Sequence, residues 1–136
     1  MKRIAIGLAY VLFATATASF AACNNTTPVS KEMKDSQAVI IGTVMSSRQV
    51  PQTWDMLDGT SYVVHIDQKV KGKQSGEMTV FIERVEDGVN LETGKQYLLF
   101  LTNNNQHWVV NTCGNSGPMD EESGVIKQMI HANGND

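Results

Sequence analysis

A small all-β domain carrying one short helix is the fold class predicted for this chain, and three observations predict it. Five or six short segments are rich in β-branched and aromatic residues, residues 61–70 alternate apolar and polar positions, and clusters of Gly, Asn and Asp separate the segments. Only one stretch, after Pro28, has helical spacing. Short strands at short intervals with a single helix describe a compact β-barrel or sandwich.

The chain opens on a different pattern. Lys2 and Arg3 precede an apolar run from Ile4 to Phe13, and small residues fill positions 14–22 apart from Phe20. This is the three-part layout of a secretory signal peptide, so residues 1–22 are expected to be a leader and the protein to be exported to the periplasm or the medium. Residues 23–28 are polar with little to bury and read as a tether or N-terminal segment; the folded domain is expected over 29–130 and a flexible tail over 131–136. Asn24 and Asn25 also begin overlapping glycosylation sequons, a pattern that short polar tethers produce by chance.

Thr27 offers a capping hydroxyl and Pro28 suits a first helical position, predicting a helix over 29–36 with Val29 and Met33 one turn apart. Residues 38–45 read as a strand in which Gly42 marks a bulge or bend, and 48–59, with Pro51 and Asp58-Gly59, as an irregular connection. In the 61–70 strand Tyr62, Val64, Ile66 and Val70 share one face and His65, Asp67 and Lys69 the other. A turn at 71–76 leads to a third strand, 78–85, with Met78, Val80 and Ile82 on one face and Phe81 on the opposite one. After a loop, 97–101 is a continuous apolar run typical of a strand covered on both sides. Asn103 to Asn105 turn the chain, 107–113 returns as an antiparallel partner, 114–123 is a loop, and 125–130 is a last strand or short helix.

The sequence has 136 residues and a net charge of −3; removing the leader takes Lys2 and Arg3 with it and leaves −5. An acidic surface repels phosphate backbones, which argues against nucleic acid as a partner. The leader's apolar run is shorter than the roughly 20 residues of a membrane span, and no later segment is longer, so membrane attachment would require lipid. The chain has two cysteines. Cys23 at the leader boundary has two possible fates: a disulfide with Cys113, natural in an oxidising compartment, or acylation as a lipoprotein anchor, for which 19–23 form a permissive lipobox with Phe20 where leucine is usual.

Chemistry-bearing residues are sparse. His65, His107 and His131 are not spaced as metal ligands, so no metal of its own and no cofactor are expected. No Gly-x-Ser-x-Gly elbow occurs, and a catalytic thiol is disfavoured by an oxidising compartment and a partner cysteine, so the chain is read as non-enzymatic. Asp120, Glu121 and Glu122 lack the spaced donors of a calcium loop. Trp54 and Trp108 are expected in core or rim packing. If they joined Tyr62 on an open groove, oligosaccharide or small-ligand binding would gain weight.

Taken in order, Ala38-Val39-Ile40-Ile41-Gly42-Thr43-Val44, Val70-Lys71-Gly72, Gly94-Lys95-Gln96-Tyr97-Leu98-Leu99-Phe100 and Val109-Val110-Asn111-Thr112-Cys113 resemble the netrin-module family, which includes the tissue inhibitors of metalloproteinases, in its simple bacterial form. The resemblance spans roughly residues 23–123. It implies an OB-fold, a five-stranded Greek-key barrel with a helix at its side or end. It also implies that Cys23 bridges to Cys113 at the end of the fifth strand. In the animal inhibitors the mature chain begins at the first cysteine of a Cys-x-Cys pair, whose amine and carbonyl chelate the protease's zinc. Cys23-Asn24-Asn25 departs from that pair, and no cysteine remains for the other bridges. The resemblance thus implies an exported module acting by protein contact, with a zinc metalloendopeptidase as one candidate partner and Cys23, Asn24 and Asn25 as candidate contacts. The alternative is an envelope lipoprotein anchored at Cys23, with a structural or ligand-binding role.

Overall fold

The computed structural model describes residues 27–54, 58–84, 90–111, 113–121, 124–126 and 129. The expected leader, Cys23, Asn24, Asn25, His131 and the tail lie outside these residues. The described chain is mostly β with one short helix: α1 (Val29–Asp35), β1 (Ala38–Val50), β2 (Gly59–Lys71), β3 (Glu77–Glu83), β4 (Gln96–Asn104), β5 (His107–Val110) and β6 (Gly117–Pro118). Among the described residues no helix is long and apolar enough to cross a membrane.

β1 pairs antiparallel with β2 along its length and with β4 over its first half, from Ala38↔Leu101 to Thr43↔Gln96. β2 is antiparallel to β3, β3 is parallel to β5, and β5 is antiparallel to β4. Five strands therefore close on themselves in the order β1-β2-β3-β5-β4-β1, with β6 on the β4 edge beyond β5. A strand shared between two partners must coil, and β1 does so through three register shifts against β2. Gly42 sits at one of them, where an added Cβ would lie 2.4 Å from Val64 Cγ1 and 2.9 Å from the His65 carbonyl oxygen. The bend expected there is a close approach that only glycine permits.

Two apolar layers follow from the alternation. The inner one gathers Ile40, Val44, Tyr62, Val64, Val80 and Leu99 with their neighbours inside the closed sheet. The Tyr62 and Tyr97 hydroxyls accept from the backbone N–H groups of Leu91 and Glu92, tying the β3–β4 connection across one end. The outer layer packs Val29 and Met33 of α1, with Val125, Ile126 and Met129, on Val39, Leu98 and Phe100. β4 is thus covered on both faces, as its unbroken apolar run predicts. The 124–126 segment and Met129 are helical, which decides between strand and helix there.

Several boundaries differ from expectation. β1 runs on to Val50 and takes in residues expected in the connection, because β2 starts at Gly59 and pairs with it. Val70 packs in the outer layer rather than with Tyr62 and Val64. The β1–β2 register passes from Val39↔Lys71 to Ile40↔Lys69, leaving Val70 as an extra residue that changes the facing. Pro28, not Thr27, is the N-cap of α1 and contributes no side-chain bond; its carbonyl accepts from Glu32 N–H. At the other end, Lys71 Nζ donates to the carbonyls of Met33 and Lys34, a cation placed where a helix terminus favours one.

β5 ends at Val110, short of Cys113. Asn111 Oδ1 accepts from Cys113 N–H and the Asn111 carbonyl accepts from Gly114 N–H, so a local turn replaces the ladder. The chain detours through 111–116 before rejoining β4 as β6. Phe100 N–H donates to Ser116 Oγ at 2.8 Å.

Candidate functional site

The detour carries Cys113, which is solvent-exposed and disulfide-bonded. The only other cysteine of the sequence is Cys23, outside the described residues. Next to Cys113 the chain is fastened to α1. Glu32 is buried, only 5% exposed, and its Oε2 accepts from both Asn115 N–H (2.8 Å) and Asn115 Nδ2 (2.7 Å). Asn115 Nδ2 also donates to the Thr27 carbonyl at 2.8 Å. One asparagine thereby joins the N-terminal segment, α1 and the disulfide-bearing loop. Among the described residues Glu32 Oε1 has no hydrogen-bond partner, and it lies against Gly114, where an added Cβ would be 2.0 Å from it. The arrangement holds the chain entering at Thr27 beside the Cys113 loop.

A second feature is a groove of about 300 Å³ on the outer face of β1, β2, β3 and β5. Its floor is Phe81, which points away from the inner layer as expected and belongs to neither apolar cluster, yet is 8% exposed. The ring lies over the bare backbone of Gly59. Arg48 and Val50 form one side, Gln106, His107 and Trp108 the other.

The aromatic expectations divide three ways. Trp108 is half-buried, packs on the inner layer and lines this groove. Trp54 is 96% exposed and packs in neither core nor rim, because it lies beyond the last β1 residue. Tyr62 is inside the sheet, so the three do not share a surface. His107 lines the groove and His65 stands 4.0 Å from Asp67. Among the described residues no three His, Cys, Asp or Glu side chains converge as metal ligands.

Asp67 is a second carboxylate built into a polar cluster. Its Oδ2 accepts from Thr43 Oγ1 (2.6 Å) and Gln96 Nε2 (3.0 Å), bringing β1, β2 and β4 together. The Thr43 hydroxyl, then the Gln96 amide, hold its carboxyl below the usual range; slight burial opposes them and nearby His65 adds a smaller effect in the same direction. A depressed folded value means that this contribution is complete above the ordinary carboxylate pKa and is lost as pH falls through the folded one. Thr43→Val is therefore expected to move the Asp67 titration upward, read by NMR on the side-chain carboxyl, and to leave stability at neutral pH less different from that in acid. An unmoved Asp67 titration would contradict this.

Some of these residues had a signal. Glu32 follows Val29 by three positions, on the same helical face, but its charge argues for a solvated surface. Asn115 and Arg48 fell in expected loops, and nothing in their neighbourhood marks them. No known protein family model matches the chain, and no curated protein matches it either.

Proposed function

We propose that the protein is an exported OB-fold module of the netrin type, non-enzymatic, acting by protein contact through its N-terminal segment. The fold part is supported by the strand order: five strands closing as β1-β2-β3-β5-β4, with one parallel contact between third and fifth, is a Greek-key arrangement compatible with the OB-fold. The functional part is carried by one observation, the disulfide at Cys113 directly after the ring-closing fifth strand. A bridge from there to Cys23 would hold the mature terminus against a rigid sheet, next to the Glu32–Asn115–Thr27 fastening. Pre-ordering of that kind lowers the entropic cost of binding. The same disulfide disfavours the lipoprotein alternative, since an acylated Cys23 has its sulfur in a thioether and none left to share.

The partner implied by the resemblance is a zinc metalloendopeptidase, whose metal keeps one position open for an uncharged amine. Mature protein beginning at Cys23 is assayed against zinc endopeptidases cleaving a fluorogenic peptide, beside a form with one alanine added before Cys23. Inhibition by the first and none by the second, with equal melting temperatures, is the expected result. Full peptidase activity with both forms would overturn protease inhibition, and equal inhibition by both would overturn contact through the terminal amine.

A further inference from the structure

We propose that the groove over Phe81 is a binding site for a carboxylate-bearing saccharide, a function separate from contact through the N-terminal segment. The groove shares no residue with the outer apolar layer on which α1 packs. Its volume of about 300 Å³ is at the lower end of ligand pockets, enough for one or two sugar rings and too small for a bulky cofactor.

The lining has the composition that sugars require. Phe81 offers an apolar ring for the C–H face of a pyranose, while Ser61, Thr79 and Gln106 offer hydroxyl and amide groups to its oxygens; Trp108 borders the groove with its side chain packed on the inner layer. These groups are held by the sheet: Arg48 is opposite Ser61, Ser61 opposite Phe81, and Phe81 opposite Val109. Gln106 is set in a tight turn in which both Asn105 and Gln106 have positive φ, and its N–H donates to Asn103 Oδ1 at 3.1 Å. A ligand finds the polar groups already placed.

Charge selects the class of sugar. Arg48 lines the groove, and among the described residues it makes no ion pair and no Asp or Glu joins it in the lining, in a chain of net charge −3. A guanidinium with no ion-pair partner among the described residues matches a carboxylate in geometry and sign. Strand addition by a peptide is closed at β2, which lies between β1 and β3, and at Val80 and Phe81 of β3, which pair with β5; β1 beyond Thr43 pairs with β2 alone, and the hexapeptide arm of the test reads whether a peptide adds there.

The test uses the full mature chain with Trp54→Phe, which leaves Trp108 as its one tryptophan. Trp108 fluorescence and backbone NMR shifts are followed on adding a galacturonic acid trisaccharide, its neutral galactose counterpart, or an acidic hexapeptide. The acidic sugar is expected to bind at least about tenfold more tightly than the neutral one, with shifts at Ser61, Thr79 and Gln106. Arg48→Gln, at an exposed position, is expected to erase that preference without changing the melting temperature. Equal affinity for both sugars, tighter binding of the peptide, absence of any binding, or a preference that survives Arg48→Gln would each overturn the proposal.

Discussion

Phe100→Ala is expected to cost about 3–5 kcal/mol of stability, the range for removing a fully buried phenylalanine. Phe100 is 1% exposed at the centre of the outer layer, between β4 and the helical residues Val29 and Met129. Its backbone has little freedom to close the resulting cavity. It pairs with Val39 on one side, and its N–H donates to Ser116 Oγ on the other. Relief must come from the covering layer, where Met33 and Met119 are flexible enough to move inward, which favours the lower half of the range. The loss should also be uneven across the molecule. Because α1 rests on this ring, amide exchange in α1 should speed up through local opening, while β2 and β3, which pack on the inner layer, open only with global unfolding. Urea unfolding of the variant measures the first effect and hydrogen exchange the second. A loss below about 1 kcal/mol would mean that the helix layer is loosely laid on the sheet and does not share its core.

What was legible in the sequence was periodicity within one segment. The run 97–101 announces a strand buried on two faces, and in the structure Tyr97, Leu99 and Leu101 go inward while Leu98 and Phe100 go outward. The alternation of 61–70 places Tyr62, Val64 and Ile66 correctly and fails at Val70, where a bulge changes the facing; a bulge depends on the partner strand, which the segment alone does not contain. The same limit explains the site residues. Glu32 is buried because an asparagine 83 positions away supplies two N–H donors, and without that partner its charge argues for solvent. Arg48 reads as part of a connection until β2 is seen to extend back to Gly59 and carry β1 with it. Trp54 departs from expectation for the opposite reason: a large aromatic is ordinarily buried, and its place beyond the end of β1 leaves it 96% exposed.

Cys113→Ser is expected to lower stability by about 2–5 kcal/mol, and the reason lies in the unfolded chain. Cys113 is exposed, so exchanging sulfur for oxygen leaves no cavity and the folded contacts are nearly conserved. What the substitution removes is the cross-link. A bridge to Cys23 would enclose about 90 residues, which places the chain-entropy estimate at roughly 4–5 kcal/mol, with native-state strain and residual structure in the unfolded chain reducing it. The turn holding residue 113, made by Asn111 Oδ1 and the Asn111 carbonyl, does not use the sulfur and should persist. The Glu32–Asn115 fastening should persist likewise, so the variant folds and the difference is measurable by urea denaturation. Reduced wild type and Cys113→Ser should then unfold at the same urea concentration, and oxidised wild type at a higher one. The double variant Cys23→Ser/Cys113→Ser should match the single one, because both lack the same bond. If the wild type is indifferent to reductant and Cys23→Ser alone is as stable as wild type, the pairing is wrong and the lipid-anchored alternative regains its footing.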